Sequence, residues 1–502
     1  MIKRLQYSAK LPIHTFLVGL YFILFVYTYN MGTVELDSTF RITAASLLLS
    51  ASLYFVFYKL LKSKQKAGVY TSLLLFGVFS YGIIYNNLED LYYAGIWPLH
   101  NIHRYLVISY LVIYTALLIF MFVTKRTFMR PNHYLNILLG VLLSFNIFQI
   151  SLFEFRIRNN NKNNENPFIS NTHIETTHLP DSVAQKFPDV YYIILDGYAN
   201  QKTLLNFYKY DNSKFLNYIK SRGFYIAENS TANYPVTSLS LSSSLNMNYL
   251  NDLIDSAHTN TFSHLISRNL VSYYFKHHQY KIVHVSSGYN VTRYFDFADK
   301  SFIQNGPNEF ERSVLRSAIF RLDDLTGFMA YLRLTSQFRL IKKAMEEPSP
   351  KFTFIHIVCP HPPFVFNRDG TLSIHSISDM SWAPKENYVN QLVYVNQVIK
   401  NYIDEILYNS TRQPIIVLQS DHGPWMPSNN AEDSYMARNL ILNAYLVPDE
   451  LKKNLYQTIT PVNSFRIVNN YLFNDHFPLL EDLPIDKAKL LQYPVFRNYV
   501  HK

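Results

Sequence analysis

Apolar residues follow two regimes along this chain. Up to about residue 155 they form unbroken runs, approximately Leu11–Tyr29, Ile42–Leu61, Val69–Tyr85, Tyr105–Val123 and Tyr134–Phe153. As a helix, each run can cross a hydrocarbon core of about 30 Å, and Tyr and Phe crowd toward the run ends as interfacial aromatic residues do. The pattern predicts five transmembrane helices over 1–156, followed by a polar linker over 157–187 that includes the Asn-rich run Asn159–Asn166. From Pro188 the pattern changes to short β-rich runs, Val190–Leu195, Ile282–Ser286, Phe352–Val358 and Ile415–Gln419. Amphipathic segments such as Leu204–Arg222 and Tyr388–Leu407 separate them. Alternation of this kind predicts an α/β domain over 188–502 with a mainly parallel central sheet covered by helices.

Composition sharpens this division. The mean hydropathy of −0.04 averages a lipid-like third with a globular remainder. Charged residues make up 16% of the chain, against about 25% in ordinary soluble domains. The net charge of +10 would suit nucleic acid, but the basic clusters flank the apolar runs and serve topology instead, so no nucleic-acid partner is expected. Lys3, Arg4 and Lys10 precede the first run, Lys62, Lys64 and Lys66 lie between the second and third, and Lys125, Arg126 and Arg130 between the fourth and fifth. The intervening loops carry Glu35 and Asp37, then Glu89 and Asp90. Positive charge in every second loop predicts a cytoplasmic N-terminus and an extracytoplasmic globular domain in a multi-pass membrane protein. The first run lacks a small-residue cleavage site and is expected to remain as a span. The single cysteine, Cys359, excludes an internal disulfide and any multi-cysteine metal site.

Candidate chemistry gathers where the β-rich runs end, the edge at which parallel sheets collect ligands. The first run ends in Asp196-Gly197, either a turn or N-cap carboxylate or a ligand for a cation. The fourth ends in Ser420-Asp421-His422-Gly423, where adjacent Asp and His can offer an oxygen and an imidazole nitrogen to one divalent ion. Zinc and manganese are the natural choices, with magnesium or calcium behind them. Between these lies Thr237-Ser238-Leu239-Ser240-Leu241-Ser242-Ser243-Ser244. Such a run either caps a helix or puts a nucleophilic hydroxyl at a helix N-terminus, where free N–H groups favour a phosphate. The third run leads into Cys359-Pro360-His361-Pro362-Pro363, where His361 is either structural or able to contact a transferred group and protonate a leaving oxygen.

Together, in order and strand context, these elements resemble the alkaline phosphatase/sulfatase superfamily over about residues 188–480. With the predicted membrane helices, the chain is similar to lipoteichoic acid synthases and lipid A phosphoethanolamine transferases, whose T-S-x-S run matches Thr237-Ser238-Leu239-Ser240. The resemblance implies Thr237 as nucleophile, with Ser238 beside it as runner-up. It also implies a metal set of Asp196, Thr237, Asp421 and His422, with His361 as a substrate-binding histidine. Arg293 could meet an anionic headgroup. The implied reaction is metal-dependent transfer of a phosphoethanolamine- or phosphoglycerol-type headgroup from a lipid donor to an envelope glycan or lipid, through a phospho-threonine. A sulfatase-like phosphoester or sulfoester hydrolase, or an inactive binding module, is the alternative. Asp196 stands where the transferases usually carry Glu, and no C/S-x-P-S-R frame for formylglycine exists, which disfavours sulfate-ester hydrolysis.

Overall fold

The computed structural model describes residues 11–31, 34, 36–93, 102–163, 166–170, 187–250, 262–304, 306–317, 323–374, 382, 384–425 and 431–483. Two compact units are present. One comprises Met1–Asn159 together with Asn308–Asp323, and the other Asn160–Pro307 together with Asp324–Lys502.

In the first unit the apolar runs form helices α1 (His14–Tyr29), α2 (Phe40–Leu61), α3 (Lys64–Tyr93), α4 (Ile102–Val123) and α5 (Met129–Asn163). Four of these are long and apolar enough to cross a membrane, while α1 covers 16 residues. All five expected apolar runs thus form helices, with α1, starting at His14, the shortest. A core of Val18, Phe22, Ile23, Tyr27, Leu75 and Phe79 joins α1 to α3.

An excursion from the sequence of the α/β half also belongs to this unit. The helix Glu309–Arg316 starts on a capping box, in which Asn308 Oδ1 accepts from the Glu311 N–H and Glu311 Oε2 accepts from the Asn308 N–H, both at 2.8 Å. Arg41 from α2 grips Glu311 with two bonds of 2.8 Å, and Asn308 Nδ2 donates to Ser38 O. Nothing in the polar pattern of 308–323 signalled this, because the contacts that hold it are long-range.

The second unit is built on a seven-stranded sheet in the order β2-β7-β6-β1-β5-β3-β4. Its strands are β1 (Val190–Leu195), β2 (Tyr225–Ile226), β3 (Lys281–Val285), β4 (Lys300–Phe302), β5 (Lys351–Ile357), β6 (Ile415–Ser420) and β7 (Asn443–Leu446). From β6 to β4 every pairing is parallel, and β7 and β2 add an antiparallel edge. Strand β1 lies at the centre, with Leu195 aligned with Ile357 on one side and Ser420 on the other. It reads as a continuous apolar run because both faces are covered. Tyr191, Ile193 and Leu195 enter one core, with α6 (Ser213–Ser221), α9 (Asp323–Met345) and α10 (Lys385–Asn409) over it. Val190, Tyr192 and Ile194 enter the other, covered by α7 (Thr237–Leu245), α8 (Leu270–His277) and α12 (Pro461–Phe473).

Two local expectations change. The amphipathic segment Leu204–Arg222 is split by a wide turn over Leu204–Tyr208 that ends on Lys209 at φ +52°, and α6 starts afresh at Ser213. Within the expected linker, 171–186 lies outside the described residues, but Phe168 and Ile169 are buried in the second core. Asn166 ties them down, donating to Asn246 Oδ1 and Arg268 O at 2.7 Å.

Candidate metal and nucleophile site

The candidate residues meet just beyond the carboxyl ends of β1, β5 and β6. Asp196 follows β1, and its N–H continues the ladder to Ile357 O at 3.0 Å. Asp421 and His422 follow β6, and Asp421 Oδ1 accepts from the N–H groups of Gly197 (3.1 Å) and His422 (2.9 Å). These two bonds lock the β1 and β6 turns together and leave Asp421 Oδ2 free to face Asp196. Ser420 Oγ accepts from the Tyr198 N–H and donates to His422 O, closing the same junction from below.

Thr237 is the first residue of α7, after an extended Val236. Its Oγ lies 3.1 Å from His422 Nε2. Ser240, one turn on, donates to Asp421 O at 2.7 Å and so anchors the helix start to the β6 loop. His422 Nδ1 donates to Gly423 O at 3.0 Å, which fixes the tautomer and leaves Nε2 with its lone pair toward the cluster. That nitrogen is 3.3 Å from Asp421 Oδ2 and 3.7 Å from Asp196 Oδ1.

Two members were not singled out from the sequence. His356 lies within β5, opposite Ile194, with Nε2 3.5 Å from Asp196 Oδ2. Thr292 Oγ, 2.7 Å from His356 Nδ1, and Ser287 Oγ, 2.7 Å from Thr292 Oγ, hold it from behind. The available signal was a histidine inside an otherwise apolar buried strand. Arg438, in the last turn of α11 (Ala431–Asn439), reaches His422 Nε2 at 3.3 Å, and no local sequence cue marked it.

Of the other candidates, Ser238 is buried and its carbonyl accepts from Ser242 Oγ. His361 Nδ1 donates to Pro362 O at 2.7 Å, and the ring meets Trp382 edge-on at 4.9 Å. Trp382 lies so close over Gly197, at φ +70°, that a Cβ there would come within 2.5 Å of the indole. The Arg293 guanidinium lies over the Tyr294 ring at 4.8 Å, and the preceding Thr292 touches His356.

The electrostatics are those of a cation site. Asp196, His356 and Asp421 each offer a ligand atom within 4.8 Å of the others. Asp196 Oδ1, Asp421 Oδ2 and His356 Nε2 are buried without a hydrogen-bond partner. Unsatisfied buried polar atoms are costly, and three converging on one point fit a metal ion. Burial pushes the Asp196 carboxyl up, but His361 and His356 outweigh it and hold Asp196 well below the usual carboxylate range. Asp421 is pushed up, first by burial and then by the Asp196 charge. Burial and then Arg438 keep the His422 imidazole neutral.

Several solved structures resemble the chain in part. They include the zinc-bound C-terminal periplasmic domain of EcEptC from Escherichia coli, at 12% identity and TM-score 0.39 over 58% of this chain and 83% of that one. The integral membrane lipooligosaccharide phosphoethanolamine transferase A from Neisseria meningitidis matches at 11% identity and TM-score 0.38, over 92% and 94%. The phosphonate monoester hydrolase of Agrobacterium radiobacter matches at 12% identity and TM-score 0.38, over 57% and 74%. No curated protein sequence matches the chain. The family model described as Sulfatase matches residues 188–449, just over half of the chain and the stretch that holds Asp196, Thr237, His356, His361, Asp421, His422 and Arg438. The chain therefore belongs to the Sulfatase family, and its second unit is a sulfatase-like enzyme domain joined to apolar membrane helices.

Proposed function

We propose that the chain transfers a phospho-alcohol headgroup, of the phosphoethanolamine or phosphoglycerol type, from a lipid donor to an envelope glycan or lipid through a phospho-threonine on Thr237. The observation that carries this reading is the Thr237 hydroxyl. It lies at a helix N-terminus, 3.1 Å from His422 Nε2, beside buried carboxylate oxygens that lack partners. A divalent ion held by Asp196, Asp421, His422 and Thr237, with the unpartnered His356 Nε2 beside them as a further ligand, zinc or manganese by ligand type, would lower the pKa of that hydroxyl and polarise the phosphoryl oxygens.

The chain's own groups account for the rest. Thr237 Oγ attacks phosphorus in line with the lipid alkoxide; the Oγ–P bond forms and the P–O bond to the lipid breaks. The free N–H groups at the start of α7 face the charge that grows on the phosphoryl oxygens. His361, whose Nδ1–H is held by Pro362 O, takes the Thr237 proton on Nε2 and gives it to the leaving oxygen. In the second half the acceptor hydroxyl gives its proton to His361 Nε2 and attacks phosphorus, the Thr237 Oγ–P bond breaks, and His361 returns that proton to Thr237 Oγ; water in place of the acceptor would give hydrolysis. Membrane tethering raises the local concentration of a lipid donor. The basic loops support a cytoplasmic N-terminus and an extracytoplasmic catalytic unit.

Mass spectrometry of envelope lipids and glycans from cells expressing the wild-type chain or Thr237→Ala tests this. The wild type should add a mass equal to phosphoethanolamine or phosphoglycerol, and Thr237→Ala should lose it. Full activity in Thr237→Ala together with none in Ser238→Ala would move the nucleophile to Ser238.

A further inference from the structure

Helix α9 begins at Asp323, the last residue of the excursion that belongs to the unit of apolar helices. One side of α9 is core, where Ala330, Leu334, Phe338 and Ile341 recur at helical spacing and are buried. The opposite stripe changes character along its length. It starts with Phe328 and Leu332, 41% and 47% exposed, and continues to the exposed Arg339 and Lys343. A single exposed leucine is ordinary. Two large apolar side chains four residues apart are neighbours on a helix surface, and together they form an apolar face that water covers poorly.

The chain's path just before α9 indicates what covers that face. Phe310 and Val314 of the excursion share a core with Phe22 of α1 and Phe79 of α3. Ser317 O accepts from the Gly82 N–H at 2.9 Å, and a Cβ on Gly82 would come within 2.7 Å of Ser317 Cα. Gly82 stands about 10 Å of helix inside the end of Lys64–Glu89, a segment long and apolar enough to cross a membrane. The excursion therefore reaches the level of the spans, and α9 is the first helix after it. Along α9 the distance from Asp323 is about 7.5 Å to Phe328 and about 13.5 Å to Leu332, against about 24 Å to Arg339. The apolar end of the stripe is the end next to the excursion, and the basic end is the far one. The segment that leads into the excursion repeats the pattern. Ile303, five residues before Asn308, is 44% exposed. Gln304 and Arg333, which directly follow Ile303 and Leu332, converge on Gly288, where a Cβ would meet Gln304 Oε1 at 2.9 Å and Arg333 Cδ at 2.7 Å. Both flanks of the excursion thus lie together and expose apolar side chains.

We infer that Phe328 and Leu332 insert into the headgroup layer of the membrane leaflet on the side of the second unit, so that the partner of this face is the lipid surface itself. Apolar side chains on one side of a helix gain by leaving water for the boundary between headgroups and acyl chains. Arg339 and Lys343, farther along the same stripe, stay in water. This contact is additional to the spanning helices and is made by the sulfatase-like unit. It does not depend on the identity of the nucleophile or of the transferred group.

Full-length protein in phosphatidylcholine liposomes provides the test. Phe328→Cys, Leu332→Cys and Lys343→Cys are made singly and labelled with a bimane fluorophore; the native Cys359 is buried and adds little background. Lipids carrying a nitroxide near the headgroup should quench the label at 328 and 332 about twofold and leave the label at 343 nearly unchanged. Aqueous iodide should quench in the opposite order. Lipid quenching at 328 and 332 no stronger than at 343 overturns the inference. Protection of 328 and 332 from both quenchers also overturns it, because protein, from this chain or a second copy, would then cover the face. A further variant asks whether the native side chains or the label enter lipid. Adding Phe328→Asp to Leu332→Cys should lower lipid quenching at 332, since the neighbouring anchor is gone. Unchanged quenching there would assign insertion to the label and sink the inference.

Discussion

Asp196 and Asp421 are both buried, with His422 between them, and their affinities for protons are driven apart. Asp196 is held ionised by His361 and His356, while burial and the Asp196 charge push Asp421 up. A carboxyl raised in the folded chain binds its proton more tightly there than when unfolded. Its contribution to metal-free stability is present at low pH and lost as pH rises through the folded value. A cation needs Asp421 deprotonated, whereas His422 is already neutral and releases nothing. Metal affinity should therefore rise by about tenfold per pH unit below the Asp421 titration and level off above it. Competition against a chelating indicator from pH 5.5 to 8 measures this, and a flat profile would contradict the pairing. The Thr292 hydroxyl supports the same site from one residue farther out, through His356 Nδ1 at 2.7 Å. Thr292→Val should keep the fold at a cost of about 1–3 kcal/mol and weaken metal binding by about 10–100-fold, read by metal stoichiometry after dialysis.

At the scale of elements, the central strands were legible because burial on both faces writes an apolar run into the sequence. The same logic exposed Asp196, Asp421 and His422, polar residues placed where such runs end. His356 escaped because it sits inside its strand, where a single buried histidine looks structural. Arg438 escaped because a helix brings it back from 16 residues beyond His422, a contact that only the β6–α11 junction creates. That junction is tight: Gly423 donates to Arg438 O at 2.7 Å, and a Cβ on Gly423 would come within 2.0 Å of Ala437 O. The obstacle is backbone, so it cannot swing aside. Gly423→Ala should cost about 2–3 kcal/mol and reduce metal content, because Arg438 and His422 are displaced together. Gly306→Ala, where a Cβ would meet nothing within 4 Å, is the reference for chemical denaturation. Equal midpoints for the two variants would show that the junction yields.

For the whole molecule, sidedness follows from charge and from which helices cross. Lys125 lies in the basic loop between α4 and α5, and α5 is long and apolar enough to span. If α5 spans, Lys125 and the second unit are expected on opposite sides whatever α1 does. The lone native cysteine, Cys359, is buried, so introduced cysteines can be read against little background. An impermeant maleimide applied to intact cells should label Tyr408→Cys, at a position 89% exposed, and label Lys125→Cys only after permeabilisation. The reverse result would put the catalytic unit in the cytoplasm and remove the envelope acceptor from the proposed reaction. A third probe, Ser8→Cys, reads α1 alone. Sixteen residues span about 24 Å, short of a hydrocarbon core of about 30 Å, yet Lys3, Arg4 and Lys10 favour a cytoplasmic start. If the charges prevail, α1 crosses with a locally thinned bilayer and Ser8→Cys is protected in intact cells. If length prevails, α1 fails to cross, the N-terminus shares the side of the second unit, and Ser8→Cys labels as readily as Tyr408→Cys. Three basic residues each favour the cytoplasmic side, while a mismatch of a few ångströms costs only fractions of a kcal/mol per ångström, so protection is the expected outcome.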